Sequence, residues 1–258
     1  MRRHLTGLDH CTVLVPDLPA ASATFTRLGF TVSPLGRHSP DMGTANHAVT
    51  LTGNYFELLG VLTETEFNKE IRDALSMRQG VAGVALRADD TAAAVAELRA
   101  AGLAATDPHA VRRNVGLPSG AHVEAEFTIA FFPEIGPPYL QLFCSQALTP
   151  QYVWIPELME HPNTAHRIEW LGVVAGGQDL GINTAFGDVS VVELALGEYV
   201  EADRLGSTVL SLSVGDLSAA EKCLREGGVP YRSLQDGLVV PAQYACGVVL
   251  EMREGEGR

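Results

Sequence analysis

"GLDHCTVLVPDLPAASATFTRLGF", residues Gly7 to Phe30, carries the pattern on which the fold is read. An apolar run from Leu8 to Val15 meets an aspartate at Asp17. A stretch with Ala21, Phe25 and Leu28 on one helical face follows, and Gly29-Phe30 opens a second apolar run. Each piece has a local physical reason. An aspartate ahead of an amphipathic run caps the amides that a helix leaves unbonded at its start. Apolar residues three and four apart bury one face, and a glycine takes the left-handed turn that ends the helix. The same succession returns as "VAGVALRADDTAAAVAELRAAGLAA", with strand Val81–Leu86, Asp90, the stripe Ala94/Val95/Leu98 and Gly102. It returns again as "TVLSLSVGDLSAAEKCLREGGVPY", with strand Thr208–Val214, Asp216, the stripe Ala220/Cys223/Leu224 and Gly227-Gly228. Copies at these three places mark an internal repeat.

Each unit also closes alike, on an apolar strand with one polar residue near its centre: "NYFELLG" with Glu57, "PPYLQLFCS" with Gln141, "VVELALG" with Glu193 and "GVVLEMRE" with Glu251. The expected class is therefore α+β, built from β-α-β-β-β modules, four in number with the third (Ile168 to Leu196) degraded. In that third unit "GGQDLGIN" leaves room for little more than one helical turn. The expected organisation is an N-terminal half over 1–148, a linker over 149–166 rich in proline, and a C-terminal half over 167–258.

Bulk properties narrow the function. The chain has 258 residues, 46% hydrophobic and 19% charged, with a formal net charge of −13. That field repels phosphate backbones and anionic membranes, so neither nucleic acid nor a lipid surface is expected as a partner. No apolar run is long enough to span a bilayer, and "MRRHLTG" has no apolar core, so neither an anchor nor a secretion signal is expected. Cys11, Cys144, Cys223 and Cys246 form no CxxC pair and read as reduced core residues of a cytoplasmic protein. No GxGxxG after a strand, no phosphate-binding GxxxxGK[ST] and no GxSxG elbow occurs, so no nucleotide cofactor is expected. Phe56, Phe127, Phe131 and Phe132 read as core rather than as an aromatic box.

The words "LDHCTVLVPDL", "LGFTV", "RHSPDMGTANHAVTL", "NYFELLGV" and "HPNTA" resemble the vicinal oxygen chelate superfamily, in particular its largely bacterial glyoxalase-like-domain branch. The resemblance covers the first half of the chain well. The second half matches mostly through topology and "HPNTA". It implies curved mixed sheets that pair around a cleft. It does not select a reaction, because isomerases, lyases, dioxygenases and non-catalytic binders share this fold.

His10 interrupts the first apolar strand. Period-two alternation sets His10, Thr12 and Leu14 on one face, and Tyr55, Glu57 and Leu59 on one face of the closing strand. If these strands are sheet neighbours, His10 and Glu57 turn toward the same concave side. Imidazole plus carboxylate suits Zn, Fe, Ni, Mn or Co and leaves positions for two neighbouring substrate oxygens. The plainer reading of His10 is a hydrogen-bonded core histidine. Aligned positions in the other units supply no second histidine (Gly83 in the second, Val209 in the fourth), so a third ligand has to come from outside the pattern. Glu193 or Glu251 is expected as a proton shuttle from a facing module. Asn46, Gln141, His38 or His161, and Arg167 are expected to touch a small-molecule substrate, the arginine through a bidentate bond to an anion. Three functions stay open: a divalent-metal lyase, isomerase or dioxygenase, a metal-free module that sequesters a small molecule, and an interaction scaffold whose cleft is filled by its own side chains. Whether units pair within one chain or across a homodimer also stays open.

Overall fold

The computed structural model describes residues 2–199, 201, 202 and 204–255. The first unit comprises strand β1 (Leu5–Leu14), helix α1 (Leu18–Arg27) and strands β2 (Gly36–His38), β3 (Thr44–Thr50) and β4 (Tyr55–Val61). A helix outside the repeat, α2 (Lys69–Met77), precedes the second unit. That unit runs β5 (Gly80–Ala88), α3 (Thr91–Ala100), β6 (His109–Gly116), β7 (His122–Phe131) and β8 (Gln141–Ala147). The third is short: β9 (Ala165–Val174), α4 (Ile182–Phe186) and β10 (Val191–Leu194). The fourth runs β11 (Thr208–Val214), α5 (Leu217–Glu226), β12 (Arg232–Leu234), β13 (Gly237–Val240) and β14 (Val248–Glu254).

Three aspartates start three helices as the sequence predicts. The Asp17 and Asp90 carboxylates accept from the amides of Ala20 (2.9 Å) and Ala93 (3.0 Å). That of Asp216 accepts from Ser218 (2.8 Å) and Ala219 (3.1 Å). The stripes Ala21/Phe25, Ala94/Val95/Leu98 and Ala220/Leu224 are buried. Cys223 is half-buried, and all four cysteines are free thiols.

The first two units close on each other within one chain. Their strands form an eight-stranded barrel in the order β1-β4-β3-β2-β6-β7-β8-β5. The last two units make a six-stranded sheet, β10-β9-β11-β14-β13-β12. Barrel and sheet share one hydrophobic core that runs from Leu5 through Phe25, Phe56 and Leu98 to Ile168, Leu224 and Met252. Where α1 meets α5 the packing is close: a β-carbon on Gly29 would sit 2.7 Å from that of Cys223 and 2.9 Å from that of Asn163. No helix among the described residues is long and apolar enough to cross a membrane.

The proline-bearing segment after β8 is not a solvated tether. It forms two short 3-10 turns at Pro150–Tyr152 and Pro156–Leu158. Val153, Ile155 and Leu158 are buried against Ala48, Tyr55, Val115, Ala125 and Phe127 of the barrel. Its apolar side chains outweigh its prolines, because a barrel with open ends leaves apolar surface to cover.

Candidate functional site

A cavity of about 1130 Å³ occupies the barrel and opens beneath α2. Strand alternation builds it: His10, Thr12 and Leu14 from β1, Tyr55, Glu57 and Leu59 from β4, and Gln141, Phe143 and Ser145 from β8 all face it. The parallel β1–β4 register sets Thr12 opposite Glu57 and His10 opposite Tyr55. His10 and Glu57 thus share the concave side, two residues apart along the sheet.

His10 is held on three sides. Its ring stacks on Tyr55 with centroids 4.4 Å apart and meets the edge of Phe143 at 5.4 Å. Nδ1 lies 2.8 Å from the Asp9 carboxylate, whose other oxygen accepts from Arg87 Nε at 3.0 Å. A register shift in the β1–β5 ladder between Leu8 and His10 marks a bulge. Such a bulge re-aims neighbouring side chains and brings Asp9 within reach of the ring. Ionised Asp9 can only accept, so Nδ1 carries the hydrogen and Nε2 remains for other chemistry.

Glu57 accepts from Thr12 Oγ1 at 3.0 Å and from Asn46 Nδ2. Burial alone would raise its pKa. Interactions with His10, His38 and Arg113, with the Asn46 hydrogen bond, outweigh burial and hold it below the ordinary carboxylate value. His38 Nδ1 lies 2.9 Å from Thr44 Oγ1. Burial, aided by the nearby Arg113 charge and opposed by Glu57, lowers His38 to about 4, so its imidazole is neutral at pH 7. Tyr55 is pushed well above its ordinary value by burial and by the carboxylates of Asp9 and Glu57.

The residue that sequence reading missed is Arg113. Only 6% of it is exposed, it faces the cavity, and its guanidinium lies over the Phe127 ring at 5.8 Å. Its buried Nε has no hydrogen-bond partner, and no carboxylate among the described residues forms an ion pair with it. The signal lay in "HAVRRNVG". Alternation turns Val111 and Arg113 inward, whereas Arg112 faces out to Glu124 (3.4 Å) and Glu126 (3.6 Å). An arginine was expected to hold an anion, but Arg167 is exposed on β9 beside Glu169, away from the cavity.

Other expected residues disperse. His38 and Gln141 line the cavity, and Asn46 stands behind Glu57. His161 does not reach it: Nδ1 accepts from the Thr31 amide at 3.0 Å and Nε2 donates to the Thr50 carbonyl at 3.0 Å. With Asn163, which donates to the Leu28 carbonyl at 2.9 Å, His161 clamps the end of α1. "HPNTA" is therefore a joint. Glu193 accepts from the Leu180 amide, far from the barrel interior. Glu251 is fully buried in the second sheet, bonded by Tyr199 (2.5 Å), Ser211 (2.9 Å) and Arg253 (2.7 Å). Ser211 opposes Glu251 in the same register as Thr12 opposes Glu57. Around that second carboxylate, however, Trp170, Tyr199 and Leu194 pack over the sheet and fill the hollow. Neither glutamate is placed to shuttle protons for His10 and Glu57. Phe127 and Phe131, expected in the core, line the cavity, while Phe56 and Phe132 are core.

The residues do not fit a divalent-ion centre. Among the described residues no three His, Cys, Asp or Glu side chains converge where they could hold an ion. Glu57 is engaged by Thr12 and Asn46, and the Arg113 cation looks onto the same floor. What the arrangement offers is a fixed carboxylate, a fixed imidazole and an unpaired guanidinium in an apolar chamber.

A family model described as a glyoxalase-like domain matches residues 8–180, two thirds of the chain. Among solved structures, a hypothetical protein from Staphylococcus aureus is similar over 96% of this chain and 86% of its own, at 12% identity and a TM-score of 0.53. A Streptomyces coelicolor methylmalonyl-CoA epimerase variant in complex with 2-nitronate-propionyl-CoA matches 56% of this chain and 96% of its own, at 18% identity and a TM-score of 0.42. A hypothetical protein from Bacillus halodurans matches 54% and 92%, at 17% identity and a TM-score of 0.40. The staphylococcal likeness is one of fold, and the two shorter matches carry no functional argument. No curated protein matches the chain.

Proposed function

The chain belongs to the glyoxalase-like domain family of the vicinal oxygen chelate superfamily, and on that premise we propose that its barrel binds a small oxygenated organic anion and moves a proton on it. The reaction class is isomerase or lyase. Arg113 carries this reading. A buried guanidinium whose Nε has no partner, offset only by the field of Glu57 without direct contact, costs free energy in the empty protein. A carboxylate on the substrate would remove that cost through charge-assisted bonds.

Glu57 then accepts a proton from the carbon beside a substrate carbonyl. Its low pKa makes it a weak base in the empty cavity. An anion seated on Arg113 offsets one of the charges that hold it down, so its proton affinity rises when substrate is present. In its protonated form His10, fixed through Nδ1 by Asp9, donates from Nε2–H to the oxygen where negative charge develops, and the proton held on Glu57 returns to the neighbouring carbon. The apolar walls exclude water from the intermediate. The alternative is sequestration without chemistry. The bonds that Glu57 already accepts on each oxygen, from Thr12 and Asn46, favour it, because a carboxylate so engaged is a poorer base.

One experiment separates the two. Carboxylic acids with an acidic C–H beside a carbonyl are incubated with the protein in D2O and followed by proton NMR. Exchange that disappears in Glu57→Gln, while ligand affinity persists, supports proton transfer. Tight binding with no exchange in the wild type supports sequestration. Affinity unchanged in Arg113→Met removes the basis of both.

A further inference from the structure

Resting on the anion reading of Arg113, we infer that the substrate is a free acid with one charged head and an elongated, uncharged apolar body lying beneath α2, and not a coenzyme A thioester. The head position follows from Arg113, the cation facing the barrel floor. The body follows from the walls and the roof. Phe127, Phe131 and Phe143 line the chamber, whose volume of about 1130 Å³ exceeds what a small polar acid occupies.

The roof is unusual. None of the nine residues of α2 is buried, although Ile71, Ala74 and Met77 face the cavity together with Phe67. At the opening Phe67 is 53% exposed and Met77 76%, and Leu205 (63%), from the segment before β11, lines the same cavity. Helices in water are held by the apolar face they bury. An apolar body in the chamber gives α2 that face. The helix is therefore read as part of the ligand site rather than of the core.

Charge at the mouth sets the other limit. The exposed carboxylates lining the opening are Glu70 and Asp73, the latter paired with Lys69 at 2.6 Å. Arg78 also lines the cavity, but its guanidinium is engaged, donating to the carbonyls of Val81 (2.9 Å) and Tyr139 (3.4 Å) and lying over the Tyr139 ring. The chain as a whole carries −13. A thioester formed on that single carboxylate would lose the charge that Arg113 needs, and its nucleotide phosphates would be repelled by those acids wherever they pass within a Debye length, about 8 Å at physiological salt. Both effects act against it.

The test is a calorimetric comparison of hexanoate, dodecanoate, dodecanol and dodecanoyl-CoA on the wild type, Arg113→Met and Ile71→Asp. Each buried methylene is worth about fourfold in affinity, so dodecanoate should exceed hexanoate by well over about a hundredfold. Dodecanoyl-CoA should bind at least about tenfold more weakly than dodecanoate. Ile71→Asp should cut the ratio of dodecanoate to hexanoate affinity, because its added charge acts on both acids alike whereas the lost apolar face acts on the longer one. Equal affinities for hexanoate and dodecanoate, or a thioester as tight as the free acid, overturn this inference while a loss of acid binding in Arg113→Met keeps the anion reading. Dodecanol matching dodecanoate, with Arg113→Met silent, overturns the anion reading itself and this inference with it.

Discussion

Replacing Gly29 by alanine tests whether the two halves are one structure. Gly29 has φ +85, where a β-carbon costs about 1–2 kcal/mol. The same β-carbon would lie 2.7 Å from Cys223 Cβ and 2.9 Å from Asn163 Cβ, neither of which is the free end of a flexible chain. Forcing atoms apart in a packed joint costs about 1–3 kcal/mol more. The expected loss is therefore about 2–5 kcal/mol. Gly53 supplies the control: φ is +83, yet nothing lies within 4 Å of the added carbon, so Gly53→Ala should cost only about 1–2 kcal/mol. Guanidinium unfolding reads both, as a shift in midpoint at constant slope. The two tryptophans make the assay local, since Trp154 packs with the barrel and Trp170 with the second sheet. In Trp154→Phe and Trp170→Phe backgrounds the remaining tryptophan should report the same midpoint, and Gly29→Ala should move both together. Equal costs for the two glycines, or a shift seen by one tryptophan alone, would refute the shared core.

Asp9→Asn should lower turnover by about 10–100-fold with little change in ligand affinity, because the amide no longer fixes the hydrogen on His10 Nδ1; steady-state kinetics on any substrate found by NMR exchange checks it. Glu251→Gln should cost about 1–3 kcal/mol at pH 7 and leave ligand binding intact, since the buried carboxylate takes bonds from Tyr199, Ser211 and Arg253. Despite burial, the bond and charge of Arg253 and the bonds of Tyr199 and Ser211 keep the Glu251 pKa low, so this contribution stands above the unfolded value of about 4.5 and is lost as pH falls through the folded one. His38, lowered by burial from 6.5 to about 4, stays neutral in the folded state while the unfolded chain takes up a proton. Its contribution is complete above pH 6.5 and lost as pH falls toward 4, so His38→Gln should flatten the fall in Tm over that range.

What the sequence by itself determined is what short-range rules govern. The aspartate caps, buried stripes and closing glycines depend on residues within one or two turns, so three units and the α+β class were legible from spacing. Alternation also placed His10 and Glu57 on faces that meet, because period two survives any curvature of the sheet. Tertiary structure alone decided that the barrel's hollow stays open while that of the second sheet is filled. Glu57 and Glu251 stand in the same register beside Thr12 and Ser211, yet one looks into a chamber and the other is sealed beneath Tyr199 and Trp170. That difference arises from chain packing across the sheet, which no local pattern encodes. The same holds for Arg113, one of two adjacent arginines on an edge-like strand until barrel closure buries it. It holds equally for His161, whose ring is drawn to two backbone groups about 110 and 130 positions away. Side-chain chemistry is written locally, whereas the dielectric and the partners that give it a role are assembled by closure of the barrel.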